Sequence, residues 1–315
     1  MKNPRMNNQL QFNDTFKSVI EKEILSVING NQIEIKRKFE AWDSYSFLVS
    51  IDSGREYVFK IFRFPEWPPQ GKIEKVISLL SNAEIPHEKI IHLEYKHNVF
   101  NHGWQLSEYI PGGTAKELID NKVINRKHYH IKVGEILREL HKIKLDFFGS
   151  LNDEPSRFEE YKKYVLHEVN EHTIQYLPER FTHHQETLNL IKQEIVLSLD
   201  NQEFDSPRLV HDDVGTRNLL WNFGQPLLID WVDSLAAPSN RDFATLTYRE
   251  DTAILPLLEK GYESKINLDS LRLHQLMRFF SLAKYYLEDN DIYEFEKMIY
   301  RGRILIKSDI PYGAK

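Results

Sequence analysis

One short segment, residues 208–234, concentrates the polar side chains that most constrain what this chain can fold into. Asp213 follows His211 by two residues, and Asn218 follows Asp213 by five. Asp230 lies 17 residues beyond Asp213. Amide and carboxylate oxygens are the hard ligands that Mg²⁺ prefers, and an aspartate can also accept a proton from a hydroxyl group. The segment therefore predicts a metal-assisted site, provided that the chain folds back on itself within it.

The sequence between Asn218 and Asp230 is typical of a β-hairpin. Residues 219–221 and 226–229 are apolar runs, and residues 222–225 between them have turn chemistry. Two short strands joined by that turn would bring Asp230 back beside Asn218. We therefore expect two metal ligands and one proton acceptor around a single point, which is what an in-line phosphoryl transfer requires.

The spacing of His211, Asp213 and Asn218 is also the frame of the kinase catalytic loop H-R-D-x-x-x-x-N. Together with Ile229-Asp230-Trp231 it resembles the aminoglycoside phosphotransferase and choline kinase-like family, whose hallmark is H-G-D-x-x-x-x-N followed by a strand ending in I-D-W. The resemblance implies that Asp213 is the catalytic base and that Asn218 and Asp230 hold Mg²⁺. It also implies a two-lobed, protein kinase-like fold and ATP as the phosphoryl donor.

Two positions depart from the patterns of related kinases. Asp212 stands where the family usually has glycine, so its carboxylate must point away from the site or it would repel phosphate. Gly215, two residues after Asp213, stands where Ser/Thr protein kinases usually have lysine. The D-F-G of protein kinases is replaced by Asp230-Trp231-Val232. These differences favour a small-molecule acceptor over a protein acceptor.

The same segment has less specific interpretations. A His-Asp-Asp run on a loop is often a solvated cap or a core hydrogen bond, and we expect His211 itself to be structural. A neighbouring His-Asp pair also occurs in helical metal-dependent phosphohydrolases. That site needs a helix, and Val214-Gly215-Thr216 followed by two strand-like runs argues against one.

Composition limits the class of protein. The 315 residues, 41% of them hydrophobic, are enough for one large or two modest domains. The chain has no cysteine, no apolar signal-peptide core and no run near the ~20 apolar residues of a membrane span, so we expect a cytoplasmic protein without a membrane partner. The net charge of −6 argues against nucleic acid as a partner. That charge could attract a cationic substrate or only aid solubility.

The N-terminal part is predicted to form an antiparallel sheet with helices. Residues 13–28 have apolar side chains at three- and four-residue spacing, which is typical of an amphipathic helix, and a second helix is expected at residues 72–80. The sheet is expected to have five strands, at residues 32–39, 45–51, 56–62, 90–100 and 104–109.

Several side chains of this part are candidates for contact with a nucleotide. Lys60 lies on the third predicted strand, the place of the lysine that neutralises nucleotide phosphates in kinases. Glu74 begins the second helix and could hold Lys60 in an ion pair, although a glutamate there also suits the helix dipole. The loop at residues 41–46 lies where kinases cover the nucleotide, so Ser44 is either a phosphate contact or only a turn residue.

Residues 108–113 resemble the family's hinge between lobes, typically M-E-Y-x-P-G. The resemblance implies that Glu108 and Ile110 pair with adenine through their main chains. Val58, Leu220 and Ile229 could flank the base, or they could be ordinary core. We place the lobe boundary here, with residues 1–109 as the nucleotide-binding lobe and residues 110–315 as a helical lobe that carries the catalytic loop and the acceptor site.

The rest of the chain reads as mainly helical. Helices are predicted at residues 126–143, 157–177, 182–199, 268–287 and 292–305. His141 is expected to pack. Residues 240–244 resemble the family's D-x-A helix start, and the resemblance implies that Asp242 is a helix cap or loop anchor. Two groups are expected to be mainly solvated faces. They are the histidines His167, His172, His183 and His184, and the acidic patch Glu288, Asp289, Asp291, Glu294 and Glu296, whose carboxylates could instead bind a polyamine drug.

These observations predict an α+β, two-lobed kinase fold. The expected reaction is transfer of the γ-phosphoryl group of ATP or GTP to a hydroxyl of a small molecule, by an enzyme that acts as a monomer or homodimer. An aminoglycoside- or macrolide-type antibiotic is the first expectation for the acceptor. Choline, homoserine and sugars are alternatives, and a non-catalytic nucleotide-binding protein is a rival of another class.

Overall fold

The structure is a computed structural model. It describes residues 14–39, 44–52, 54–64, 67–97, 102–200, 202–222, 224–250, 252–308 and 310–312. Within these residues the chain forms two compact units. The first ends at Ile77 and resumes over Pro86–Gly112, and the second comprises Ser78–Ile85 and the chain from Gly113 onward.

The first unit is a five-stranded antiparallel sheet with a helix packed on it, as predicted. Helix α1 (Asp14–Val27) buries Ile20 and Ile24 against the sheet because the two side chains lie one helical turn apart. The strand order is β1-β2-β3-β5-β4. The strands and the second helix are β1 (Ile33–Phe39), β2 (Ser44–Ile51), β3 (Arg55–Phe62), α2 (Lys72–Asn82), β4 (Ile90–Glu94) and β5 (Trp104–Glu108).

Strand β4 is shorter than the run predicted at residues 90–100. Its pairing with β5 shifts register between Ile90 and His92, and it ends at Glu94. The next residue, Tyr95, instead directs its hydroxyl to the carboxylate of Glu74 on α2. Residues 98–100 lie outside the described residues.

The second unit is mainly helical and carries two small sheets. One sheet has the order β11-β10-β6 and the other β8-β7-β12-β9. The strands are β6 (Gly113–Thr114), β7 (Phe148–Gly149), β8 (Arg157–Phe158), β9 (Arg208–Val210), β10 (Leu219–Asn222), β11 (Gln225–Leu228) and β12 (Leu235–Ala237). The helices are α3 (Ala115–Asp120), α4 (Arg126–Leu140), α5 (Tyr161–Glu171), α6 (Gln185–Asp200), α7 (Asn240–Glu250), α8 (Leu255–Tyr262), α9 (Leu268–Glu288) and α10 (Ile292–Ile306).

The helix predicted at residues 157–177 is wrong at both ends. Arg157 lies in strand β8 and donates hydrogen bonds to the carbonyls of Ser150 and Leu151, so α5 begins at Tyr161 and ends at Glu171. The predicted helix at residues 182–199 likewise begins as a short 3₁₀ helix, Glu179–His184, before α6.

The core of the second unit lies among α5, α6, α9 and α10. Helices α4 and α8 approach one another closely because each has a glycine at the crossing. A Cβ on Gly261 would lie 1.9 Å from the carbonyl oxygen of Ile131, and a Cβ on Gly134 would lie 2.3 Å from that of Leu258. No helix in the described ranges is both long and apolar enough to cross a membrane.

Candidate active site

The hairpin predicted from the sequence is present. Asn218 directly precedes its first strand, and Asp230 follows shortly after its second strand. Strands β10 and β11 pair antiparallel with Leu219 opposite Leu228. One step further along the ladder, the amide of Ile229 donates to the carbonyl of Asn218 at 3.0 Å. Asp230 therefore follows directly on the residue that pairs with Asn218, as the sequence predicts.

Asp230 ends the hairpin in a left-handed backbone conformation, with φ 67° and ψ 66°. Aspartate tolerates this conformation better than most residues, and such positions concentrate at functional sites. The turn at Asp230 leads directly into a short 3₁₀ helix, Trp231–Asp233, in which Trp231 and Val232 are buried. The carboxylate of Asp230 is half-buried.

Asp213 is held by Asn218 within the loop between β9 and β10. The side-chain amide of Asn218 donates both to the main-chain carbonyl of Asp213, at 3.0 Å, and to its carboxylate. Because the amide nitrogen faces Asp213, the amide oxygen of Asn218 is left to face another ligand. Asp213 and Asn218 are both half-buried, so solvent or a small molecule can reach them.

His211 has structural contacts, as expected, and joins the loop between β9 and β10 to the hairpin. Its Nε2 donates to the carbonyl of Ile229 at 2.9 Å, and its Nδ1 accepts from the amide of Asp213 at 3.2 Å. The ring is fully buried against Trp231, with ring centroids 4.6 Å apart.

Asp242, at the start of α7, is the anchor of the loop. Its fully buried carboxylate accepts from the amides of His211, at 3.1 Å, and Asp212, at 2.7 Å. His141 donates to the same carboxylate at 3.1 Å and also contacts the hydroxyl of Tyr262 at 3.0 Å. Burial is the largest single effect and opposes the charged form of Asp242, but the hydrogen bond from His141 and the further contacts of His141 and His211 together outweigh it and lower the pKa of Asp242. The loop-anchor role expected for Asp242 is thus observed, and His141 supports it.

The carboxylate of Asp212 points into the protein rather than toward the acceptor. The residue is 4% exposed with φ 60°, and Nε and Nη2 of Arg241 donate to its two oxygens at 2.9 and 3.0 Å. The same guanidinium donates to both oxygens of Glu168 at 2.7 and 2.8 Å, and Nη1 of Arg278 lies 3.5 Å from Asp212. Of the two alternatives that the sequence leaves for Asp212, a carboxylate that points away from the site is therefore the correct one.

The ion cluster behind the loop consists of Glu168, Asp212, Arg241 and Arg278. Burial would raise the pKa of Glu168, but the adjacent Arg241 guanidinium lowers it to about 2. Burial disfavours the charged form of Arg241, but Asp212 and Glu168 raise its pKa well above the ordinary value. The carboxylates and the guanidinium stabilise one another as ions, so the cluster joins α5 and α7 to the loop between β9 and β10.

Two arginines that the sequence analysis did not identify converge on Asp213. Arg249 on α7 forms an ion pair with Oδ1 of Asp213 and donates to the carbonyl of Val214 at 3.2 Å. Nη2 of Arg278 lies 3.8 Å from the same Oδ1. One signal for Arg249 was available, because it lies seven residues after the anchor Asp242 and hence on the same face of α7.

In the first unit, Lys60 lies on β3 opposite Ser46 and Gln105. Glu74 lies in the first turn of α2, as predicted, and accepts the hydroxyl of Tyr95. Burial and then this contact raise the pKa of Tyr95. The ion pair between Lys60 and Glu74 stays a prediction.

Ser44 is the first residue of β2 and is 1% exposed, with its Oγ 3.1 Å from that of Ser46. Residues 41–43 of the predicted covering loop lie outside the described residues. Val58 is half-buried on β3, between Leu48 and Ser107 of the neighbouring strands. The roles given to Ser44 and Val58 stay predictions.

Glu108 ends β5, and its amide already donates to the carbonyl of Lys89 at 2.9 Å. Of the main-chain groups proposed to pair with adenine, that amide is therefore engaged within the unit. In the second unit, Leu220 pairs with Leu227 and Thr114 and is half-buried, as is Ile229. The roles of Ile110, Leu220 and Ile229 stay predictions.

The model of the phosphotransferase enzyme family APH matches residues 37–274, roughly three quarters of the chain. The chain belongs to this family. As an APH-family member it is a small-molecule kinase, an enzyme that phosphorylates a hydroxyl group. A comparison with curated proteins finds no sequence match.

Solved structures share the fold. A thermostable mutant of aminoglycoside phosphotransferase APH(4)-Ia, in complex with AMP-PNP and hygromycin B, has a TM-score of 0.72 at 13% identity over 93% of this chain and 99% of that one. Choline kinase LicA from Streptococcus pneumoniae has a TM-score of 0.63 at 14% identity over 93% and 99%. The GDP and kanamycin complex of APH(2")-IIia has 0.61 at 15% identity over 91% and 96%. The predicted kinase-like α+β fold of this APH-family chain is confirmed.

Proposed function

We propose that this APH-family kinase transfers the γ-phosphoryl group of ATP to a hydroxyl of a small molecule, with Asp213 as the base. The observation that supports this most is the hairpin, whose ladder brings Asp230 next to Asn218 while Asn218 holds Asp213. Because the transition state of phosphoryl transfer is loose, positioning and charge neutralisation matter more than base strength. A carboxylate fixed by hydrogen bonds can orient the acceptor hydroxyl and take its proton.

The residues fit a magnesium ion. The amide oxygen of Asn218 and the carboxylate of Asp230 are hard oxygen donors. The amide nitrogen of Asn218 donates to Asp213, which leaves the oxygen for the metal. Asn218 and Asp230 would hold Mg²⁺, which neutralises charge on the phosphates when bound. We expect Asp230→Ala to abolish metal-dependent turnover while the melting temperature stays close to that of the unchanged chain. Normal turnover by that variant would remove the metal assignment.

The nucleotide contacts are proposed to be those that the sequence predicts. Lys60, supported by Glu74, would neutralise phosphate charge, and Ser44 would contact a phosphate. Val58, Leu220 and Ile229 would contact the base, and main-chain groups of Glu108 and Ile110 would hydrogen-bond to it. We expect Lys60→Met to raise the KM for ATP, and a titration of initial rate against ATP concentration measures this.

For the acceptor we propose a polyamine of the aminoglycoside type, with macrolides, choline, homoserine and sugars as alternatives. A cavity of about 540 Å³ lies between the C-terminal ends of α5 and α9, and its lining includes Glu171, Tyr176, Lys284 and Glu288. Nζ of Lys284 lies 3.8 Å from the carboxylate of Glu288, so a ligand ammonium group would share that carboxylate with Lys284. Two carboxylates and an exposed aromatic ring suit ammonium groups. At 1.5 Å per residue the cavity begins roughly 9 Å along α9 from Arg278, which lies beside Asp213.

Other residues of the predicted acidic patch have different partners. Asp291 caps α10 through the amide of Glu294, and Glu294 forms an ion pair with Lys297. Glu288 is the patch residue that lines the cavity.

A substrate panel tests the proposal. ATP and GTP are each offered with aminoglycosides, a macrolide, choline, homoserine and sugars, and phosphorylated product is measured by mass spectrometry. The expected result is transfer to a polyamine acceptor that Asp213→Asn abolishes. Nucleotide binding without transfer to any acceptor would support the non-catalytic alternative. Transfer to choline or a sugar alone would contradict the proposed acceptor class but would support the proposed phosphoryl transfer.

A further inference from the structure

Far from the catalytic loop, three potential metal ligands converge where the 3₁₀ helix Glu179–His184 meets α10. A ring nitrogen of His183, a ring nitrogen of His184 and a carboxylate oxygen of Glu296 all lie within 4.8 Å of one another. The sequence analysis expected solvated histidines here, and this is wrong for His184, which is only 5% exposed. It packs on the rings of Phe181 and Phe295.

The burial of His184 leaves its polar atoms unsatisfied. Neither of its ring nitrogens makes a hydrogen bond to any residue that the structure describes. Nε2 lies 2.8 Å from Oε2 of Glu296, but the contact does not have the angle of a hydrogen bond. A buried polar group without a partner is costly, so such a group in a folded protein calls for a ligand.

The contact between His184 and Glu296 brings two potential ligands side by side rather than in the line of a hydrogen bond. Its 2.8 Å is shorter than the about 3.3 Å that separates two ligands of a tetrahedral ion with bonds near 2.0 Å, so the carboxylate of Glu296 would move back by about 0.5 Å as the ion binds. His183 lies next to this pair, with its ring centroid 3.9 Å from that of His184. Small rotations of two exposed side chains, His183 and Glu296, would complete three ligands.

We propose that His183, His184 and Glu296 bind a zinc-type divalent cation. Two imidazoles and one carboxylate suit Zn²⁺ and its first-row neighbours, whereas Mg²⁺ prefers an all-oxygen set. With three protein ligands, the fourth position is left to water. The ion would cross-link the 3₁₀ helix to α10, so its role is to hold these two elements together.

The experiment is isothermal titration of the tag-free full chain with Zn²⁺ after chelator treatment. We expect one site whose affinity falls at least about tenfold in both His183→Asn and Glu296→Gln, since even residues that merely support a ligand cost 10- to 100-fold. Both substituted side chains lie at the surface, so these variants retain the fold. Saturating Zn²⁺ should raise the Tm of the unchanged chain and not that of Glu296→Gln, because the ion binds only the folded state.

Matched controls separate this site from others. Glu294→Gln lies two residues from Glu296 on α10, pairs with Lys297 and should leave Zn²⁺ affinity unchanged. When Mg²⁺ replaces Zn²⁺ in the titration, the unchanged chain and Glu296→Gln should give the same heat, because Mg²⁺ should not bind at this site. Absence of Zn²⁺ binding, or binding that both ligand variants leave unchanged, overturns the proposal.

A second observation concerns Asp213 and rests on the proposed function. An ideal Cβ added to Gly215 would lie 2.4 Å from Nη1 of Arg249, so this guanidinium occupies the space of a side chain at position 215. Its Nη2 pairs with Oδ1 of Asp213, while Asn218 holds Oδ2. The φ angle of Gly215 lies outside the left-handed region, so its backbone accepts other residues.

We infer that Arg249 supplies from α7 the cation that Ser/Thr protein kinases carry two residues after their catalytic aspartate. Arg249 and Asn218 each bind one oxygen of Asp213, and two bonds fix the plane of a carboxylate. Arg249 is thus a positioning residue for the base.

Moving the cation back to position 215 tests this. Arg249→Met should lower kcat about 10- to 100-fold, the loss expected for one charge-assisted contact, with the KM for ATP unchanged. The double variant Arg249→Met with Gly215→Lys should recover at least part of that loss. The matched double variant with Gly215→Ala should recover none, because it fills the space without a charge.

Each outcome is decisive when the Tm of the variants is measured alongside. A kcat of Arg249→Met equal to that of the unchanged chain overturns the inference. So does a lysine variant no more active than the alanine variant at equal Tm. If Asp213→Asn retains activity, the proposed function fails instead, whatever Arg249 contributes.

Discussion

Asp212 and Asp213 are successive residues in opposite surroundings. The carboxylate of Asp212 is buried, and both of its oxygens accept from one edge of the Arg241 guanidinium, whereas the carboxylate of Asp213 is half-buried beside Asn218 and Arg249. The first side of the loop joins it to α5, α7 and α9, and the second presents the group proposed to react. One peptide unit therefore separates the structural face of the loop, at Asp212, from its chemical face, at Asp213. Substitutions on the two sides should therefore fail in different ways.

The largest expected effect is on the chemical face. Asp213→Asn removes the proton acceptor, and general bases contribute about 10²- to 10⁴-fold to rate. The half-buried pair that it weakens contributes little to folding, so the Tm should change little. Steady-state kinetics and thermal unfolding measure the two quantities. A large fall in Tm would remove the distinction between the faces.

On the structural face, Arg241→Met should cost stability. It leaves the buried carboxylates of Asp212 and Glu168 without their shared partner, and breaking a buried ion pair typically costs about 3–5 kcal/mol. Urea unfolding measures the free energy. Arg249→Met is the matched control on the same helix, and its pair with Asp213 is partly exposed, so it should cost under about 1 kcal/mol. Equal losses for the two variants would contradict the comparison.

The stability of the folded chain should also fall in acid, because His274 is buried in its neutral form. Burial lowers the pKa of His274 to about 4, and the neutral ring accepts from the hydroxyl of Tyr161 at 2.7 Å and donates to the carbonyl of Ser270 at 2.6 Å. The unfolded chain takes up this proton near pH 6.5, before the folded chain does. Stability is therefore full above pH 6.5 and falls between pH 6.5 and pH 4, by about 3 kcal/mol from this group.

His274→Gln removes the titrating group and isolates its effect. We expect the variant to be less stable at pH 7 but to lose less stability than the unchanged chain between pH 6.5 and pH 4. Urea unfolding at several pH values provides the measurement. Parallel curves for the two proteins would show that His274 does not titrate in this window.

On the structural face, the smallest expected effect is that of Asp212→Gly, which restores the residue usual in the family. Glycine relieves the left-handed backbone by about 1 kcal/mol, but Arg241 and Arg278 lose a buried partner. We expect a net loss of about 1–2 kcal/mol by urea unfolding, smaller than that of Arg241→Met. A gain in stability would mean that the ion cluster contributes less than the backbone strain costs.

The local features of the site could be predicted from the sequence. The hairpin follows from two apolar runs around a turn, and the neighbourhood of Asn218 and Asp230 follows from the hairpin. The anchor role of Asp242 was predicted from the resemblance of residues 240–244 to the family's D-x-A helix start. These features depend on neighbours within one element or one turn, which residue spacing encodes directly.

The partners of the site could not be predicted because they come from distant elements. Arg241 lies 29 residues from Asp212 and 73 from Glu168, and Arg249 lies 36 residues from Asp213. For Glu168 nothing in the spacing states which helix faces the loop, and Arg249 has only the indirect signal that it shares a face of α7 with Asp242. The burial of His184 depends in the same way on α10, which begins more than 100 residues later.

The carboxylate of Asp242 has one more consequence, for the dynamics of the loop. It accepts two successive amides of the loop, those of His211 and Asp212, while belonging itself to the first turn of α7. These two amide hydrogens can reach solvent deuterium only when the helix and the loop separate. The centre of a loop, usually the fastest-exchanging part of a protein, should therefore exchange as slowly as the helical core behind it.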